Sequence, residues 1–311
     1  MRGLIWVAAL FAVLSGDVHF VARCAAAYED DVQPAKATAE ALATIDAAFQ
    51  TSQTQQPTEQ IVTLRAAVSD VSARLAENVL IAEALNSALD DSQRAEAASK
   101  PRVAVDSLRS GLSEAREILR FRIVDEGPQP EGFPAITPVG EIRVKQYPAY
   151  RLARAKSTGD NAFWTLFRHI QKNDIAMTAP VKMTYGTGAT KAAPEGKAEA
   201  PAPRQVDMAF LYRNKEQGKL GADGAVDVSE VAPVLAVSIG LRGPSGEKQL
   251  AAARAHLERW LTKHSAEYQA AGPLRMMGFN SPMVVGKRRY YEVEIPVRDI
   301  READAEKGKA P

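Results

Sequence analysis

Three histidines, His169, His256 and His264, are the first candidates for chemistry beyond residue 27. His256 and His264 stand eight residues apart with Trp260 midway. On a helix they share one stripe but lie about 12 Å apart along the axis, too far to hold one metal ion. The chain contains no His-Glu-x-x-His and no Gly-x-Ser-x-Gly, so neither a zinc-peptidase helix nor a nucleophile elbow is encoded. Gly186–Thr187–Gly188 opens no helix and makes a poor phosphate cradle. Catalysis leaves no signature, and the chain reads as a non-enzyme. What it does carry in quantity is soft apolar matter. Met177, Met183, Met208, Met276, Met277 and Met283 fall in the C-terminal half with Phe163, Trp164, Phe167, Trp260 and Phe279. Each alone reads as core; together they suit a pocket for a flat, apolar ring system. Arg168, Lys172 and Lys182 lie beside them, either as ordinary solvated charges or as partners for carboxylates on such a ligand.

These side chains need elements to position them. Residues 161–172 read as a helix stopped by Asn173–Asp174, and residues 175–185 as the strand that follows. Pro180 biases Ala179 away from helical geometry and marks the change. Residues 141–147 and 150–154 alternate cleanly and read as half-buried strands, as does 206–212. Between them, 186–205 is Gly, Ala, Pro, Lys and Glu without a large core residue, which predicts a solvated, disordered insert. The order then recurs: strand 234–241, helix 247–270, strands 274–280 and 290–297. Two tandem β-α-β-β units are thus readable. One helix cannot cover such a sheet, so the pair predicts a single α+β domain with a curved, barrel-like antiparallel or mixed sheet and two helices outside it.

The N-terminal part is different. Residues 28–124 are rich in Ala, Glu, Gln and Ser, and Ile61, Leu64, Val68, Val71, Leu75, Asn78, Ala82, Leu85 and Leu89 recur at alternating steps of three and four. That is a heptad seam, with Asn78 as a polar residue of the kind that fixes register. Pro57 and Pro101 punctuate three helices. The seam is buried either in a small helical bundle or in a coiled coil that joins two copies through residues 58–98. Residues 125–138 hold Pro128, Pro130, Pro134 and Pro138 and read as a stiff linker. Residues 299–311 form a charged tail. At the other end, Arg2, the apolar run 4–14 and Ala25–Ala27 have the form of a signal peptide over residues 1–27. The run is too short to span a bilayer comfortably, so no stable membrane span is expected once it is removed, and the mature chain is expected to be periplasmic or secreted. Cys24, the single cysteine, excludes an internal disulfide. A net charge of +1 gives no basic field for nucleic acid.

Three stretches carry a family resemblance: Gly-Glu-Ile-Arg-Val-Lys-Gln-Tyr-Pro-Ala-Tyr at 140–150, Ile170–Gln171 leading to Met-Thr-Ala-Pro-Val at 177–181, and Met-Gly-Phe-Asn-Ser-Pro-Met at 277–283, closing with Arg288–Arg289 and Glu292–Val293. Together they resemble the SOUL haem-binding family over residues 139–298. The resemblance implies a duplicated β-α-β-β architecture of the effector-binding type. It also implies non-catalytic binding of haem or another tetrapyrrole in a hydrophobic cleft over the first helix and the last hairpin loop. The residues it points to are Phe163, Phe167, Arg168, His169, Met177, Lys182, Phe279 and Met283. Arg168 is at the place of a basic residue suited to a propionate. His169 stands where relatives have a tyrosine and is the candidate iron ligand. Three other expectations compete with haem binding: sensing of other hydrophobic small molecules, a scaffold assembled through the helical domain, and a tetrapyrrole-modifying enzyme.

Overall fold

The computed structural model describes residues 36–155, 158–187 and 203–301. The expected signal peptide with Cys24, most of the expected insert, and tail residues 302–311 lie outside the described residues. The chain divides into two compact units, one comprising the helices up to Arg120 and the other residues 77–80 together with everything from Phe121 onward.

The first unit is helical: α1 (36–51), α2 (Pro57–Arg74), α3 (Val79–Ala97) and α4 (Pro101–Arg120). Pro57 opens α2 where its missing N–H costs nothing, and Gln56 with Glu59 forms a capping box around the same turn. Ile61, Leu64, Val68 and Val71 of α2, Ile81 and Leu85 of α3, and Leu108 and Leu112 of α4 are buried. Gly111 sits where α4 meets α3, since a Cβ there would come within 2.5 Å of the Ala88 methyl. The heptad seam is not one helix. The chain turns at residues 75–78, splitting the seam between α2 and α3 and giving four helices where three were expected. Asn78, expected to set register, lies in that turn, and its amide donates to the Val139 carbonyl at 2.8 Å within the second unit.

The second unit contains β1 (Ile142–Tyr147), β2 (Tyr150–Ala155), α5 (Asp160–Lys172), β3 (Val181–Thr187), β4 (Pro203–Leu211), β5 (Gly221–Asp223), β6 (Val226–Val231), β7 (Val234–Arg242), α6 (Glu247–Lys263), β8 (Tyr268–Ala270), β9 (Leu274–Gly278) and β10 (Tyr290–Asp299). The strands form one curved, unclosed antiparallel sheet in the order β1-β7-β10-β9-β3-β4-β2-β6-β5, with β8 attached to β10. The order is nearly palindromic. β7-β10-β9 from the second repeat faces β3-β4-β2 from the first, and the halves join where β9 pairs with β3, Met276 opposite Met183. The tandem repeat read in the sequence is therefore a two-fold pattern in the sheet. Its bounds shift in places. The strand expected from residue 175 starts at Val181, β4 reaches back to Pro203 so that the expected insert is shorter, and the second helix ends at Lys263 with β8 after it.

Period-two alternation gives the sheet two unlike faces. On one, Val237, Ile239, Tyr291, Val293 and Met276 pack with Leu250, Ala253 and Leu257 of α6. Across the join, Ala153, Phe210 and Val228 pack with Ala162, Leu166 and Ile170 of α5. Met183 touches both clusters. The opposite face is buried yet charged. Glu292 accepts from Lys145 Nζ at 2.6 Å, Ser238 Oγ at 2.9 Å and the Thr137 backbone N–H at 2.8 Å. Glu294 accepts from Tyr147 at 2.9 Å and pairs with Arg275 at 2.7 Å. A strap of residues 121–141 covers this face. Phe133 packs edge-on to Tyr147 and Tyr150, and Gly240 lets the strap cross β7, since a Cβ there would meet the Thr137 carbonyl oxygen at 2.3 Å. Residues 125–138, expected as a linker, are thus bound to the second unit along much of their length.

Candidate functional site

The cleft lies on the apolar face, where the two core clusters adjoin. One wall comes from α5. Its buried stripe, Ala162–Leu166–Ile170, faces the sheet, which leaves Phe163 and Phe167, one turn apart, at the edge of the core. Their rings stack at 6.1 Å and within 10° of parallel. Phe163 meets Phe210 edge-on at 5.3 Å, and Trp164 meets Phe163 edge-on at 5.4 Å. Met183, Met208 and Met276 line the cleft from the strands, with Gly278 beside them. Phe279, Pro282 and Met283 from the β9–β10 loop and Met177 from the segment before β3 complete a cavity of about 660 Å³. Polar groups are few: Glu126, Ser281, Asn280 and Arg289 are among them.

Those polar groups fasten the loop. Asn280 accepts from the Tyr290 N–H at 2.8 Å and donates to the Val124 carbonyl at 2.7 Å. The Glu126 carboxylate, on the strap, accepts from the Ser281 N–H at 2.6 Å and the Ser281 hydroxyl at 2.8 Å. These bonds, the backbone one foremost, hold the Glu126 carboxyl below its ordinary range. The Met-Thr-Ala-Pro-Val stretch is anchored in a similar way, by Ala179 N–H to the Pro128 carbonyl at 3.0 Å and Thr178 Oγ1 to the Leu211 carbonyl at 2.5 Å. An Ala179–Pro180 cis peptide stands at this point.

Of the eight residues expected at the site, the structure brings Phe163, Phe167, Met177, Phe279 and Met283 together around the cleft. Three stand elsewhere. Arg168 is exposed on α5 and is not among the lining residues. Lys182 is buried on the opposite, charged face of β3, because its neighbours Val181 and Met183 face the cleft. His169 is buried with both ring nitrogens engaged, Nδ1 with Asp223 at 2.9 Å and Nε2 with the Tyr212 hydroxyl at 2.8 Å. Lys172 also pairs with Asp223 at 2.8 Å. The Lys172 ammonium, then the Asn173 amide, hold that carboxyl down at about 2.

A family model described as SOUL heme-binding protein matches residues 135–296. The chain belongs to the SOUL family. No curated protein matches it. Among solved structures, EcmrR in a DNA complex is 13% identical, with 51% of this chain and 57% of that chain covered and a TM-score of 0.37. A hydrolase from Listeria innocua is 10% identical, covering 53% and 94%, with a TM-score of 0.37. SAV2435 bound to tetraphenylphosphonium is 11% identical, covering 52% and 96%, with a TM-score of 0.31. Among the lining residues that the sequence reading left out of its site are Trp164, Met183, Met208, Met276 and Arg289 of the SOUL domain and Glu126 of the strap before it. Met183 and Met276 could have been found by taking alternate residues out from Val181 and Gly278, and Met208 by its place opposite Met183. Trp164 is adjacent to Phe163, and Arg289 belongs to the closing motif of the family. Glu126 had no sequence signal, because it lies in the strap.

Proposed function

We propose that the SOUL domain holds haem or a related tetrapyrrole in this cleft as a non-catalytic carrier or buffer, and that the chain does so outside the cytoplasm. The observation that carries the ligand assignment is the wall of near-parallel Phe163 and Phe167 rings facing a bed of methionines. A porphyrin is a flat apolar disc with carboxylates at one edge, and aromatic faces and thioethers are the side chains that pack best on such a surface. The volume is within the range of small-molecule sites. Arg289, half-buried at the cleft, is suited to a propionate. Among the described residues no cluster of three or more His, Cys, Asp and Glu is arranged for a bare ion. Iron would therefore arrive within its porphyrin, and Met177 or Met283 offers a soft donor to it.

Bound haem would supply the iron and the ring; the chain supplies packing, a counter-charge and exclusion of water. His169 takes a structural part in this reading, tying the end of α5 to β5 and Tyr212. Placement outside the cytoplasm rests on residues 1–27 alone. A second reading, a sensor of other hydrophobic molecules, is favoured by the absence of any histidine among the described lining residues.

Titrating the full chain with haemin while following the Soret band separates the two. The expected result is a saturable one-to-one shift, weakened about tenfold or more in Phe163→Ala/Phe167→Ala, given ~0.5–1.5 kcal/mol per aromatic contact beyond area burial. Absence of a saturable shift would favour the sensor.

A further inference from the structure

We propose that the mouth of the cleft docks on a lipid bilayer carrying anionic headgroups, with the β9–β10 loop as the inserting tip. Eight large hydrophobic side chains are exposed among the described residues, and four of them, Trp164, Met177, Met283 and Val285, border this cleft or its loop. Met283 is 87% and Val285 71% exposed, so most of each side chain meets solvent. Scattered exposed apolar residues need no explanation, but a cluster around one opening marks a contact surface.

The charges beside the cluster select the partner. Lys287 and Arg288 follow Val285 after Gly286 and are exposed, and Arg289 completes a basic run. On α5, exposed Arg168 stands one turn beyond Trp164. Each apolar tip thus has cations a few residues behind it. Glu126, an acid beside the loop, is engaged by Ser281 and Asn280 and faces Arg289. An aromatic and short aliphatic tips backed by Lys and Arg match the boundary between acyl chains and anionic headgroups. Shallow insertion would cover the exposed loop and open the cleft towards the phase into which an apolar ligand partitions.

The test is co-sedimentation of the full chain with vesicles of phosphatidylcholine alone and of phosphatidylcholine containing phosphatidylglycerol, without added ligand. Binding is expected only with phosphatidylglycerol present, falling as salt is raised. Lys287→Glu/Arg288→Glu should weaken it at least about fivefold for each basic residue removed. Val285→Asp should weaken it as well while melting like the wild type, because that side chain makes no core contact. Equal binding to both vesicle types, binding to neither, or binding unchanged by Val285→Asp would overturn the proposal. Binding to neither would leave a protein partner as the occupant of this surface.

Discussion

Lys182 shows how one position in a strand separates ligand surface from core. It is 5% exposed on the face away from the cleft, and burial, with the nearby Arg275 guanidinium, pushes its ammonium down to about 8. Between pH 8 and 10.5 the unfolded chain therefore holds more protons than the folded one, and stability rises with pH through that window. Lys182→Met should flatten the rise and stabilise the protein at pH 7 by about 1–3 kcal/mol, read from denaturant melts at several pH values. His169 answers to a different experiment. Removing it leaves the buried Tyr212 hydroxyl short of a partner, while Asp223 keeps Lys172 and Asn173, so His169→Ala should cost about 1–3 kcal/mol. The Soret maximum of the haemin complex should not move, and a shifted maximum would return His169 to the iron. Phe279 and Met283 were legible at this scale because a family motif contains them, and Phe163 and Phe167 because they stand four apart on a readable helix to which the resemblance points. Lys182 and His169 were misplaced because adjacency in sequence puts neighbouring strand residues on opposite faces, and buried hydrogen bonds leave no periodic trace.

At the scale of elements, strands and helices with strong alternation were readable, whereas the pieces held by backbone bonds were not. The strap is the clearest case. Its four prolines suggested a linker, but Ala179 N–H to Pro128 O and Thr137 N–H to Glu292 seat it on the sheet. In the strap itself both bonds use only backbone atoms, so its own side chains need show no particular pattern. The seam from Ile61 to Leu89 misled in the opposite way, since its phase runs through the turn at 75–78 and buried Asn78 happens to fall in step. The β5–β6 hairpin was passed over because its strands are short, although Asp223–Gly224 is a good turn signal.

Two predictions belong here. Gly111→Val should cost the first unit about 1–3 kcal/mol by forcing α3 and α4 apart. Glu126→Gln should speed amide exchange across residues 279–284, because it weakens the clasp on Ser281. The carboxyl is held below its ordinary value, so the clasp is complete above that ordinary value and fails as pH falls through the lowered one. Protection of the wild-type loop, taken relative to the intrinsic exchange rate at each pH, should therefore fall at acid pH and be indifferent to acid in Glu126→Gln.

For the molecule as a whole, duplication accounts for the position of the site. Two β-α-β-β units meet at β3 and β9, and their helices cover neighbouring parts of one sheet face, which leaves an apolar cleft beside the central Met183–Met276 pair. The repeat was visible in the order of elements, and the SOUL motifs placed it within residues 139–298, where the family model matches 135–296. What could not be read was which side chains face the cleft, because that depends on strand register. The seven methionines provide the most direct test. Met177, Met183, Met208, Met276 and Met283 line the cleft, while Met277 is buried on the opposite face of the sheet. With methyl-labelled methionine in the full chain, titration with iron-free protoporphyrin IX should shift the five cleft methyls along one saturable curve through the ring current, and leave Met277 nearly in place. A titration that moves none of the five, or moves Met277 as far as they move, would contradict binding of a tetrapyrrole in this cleft.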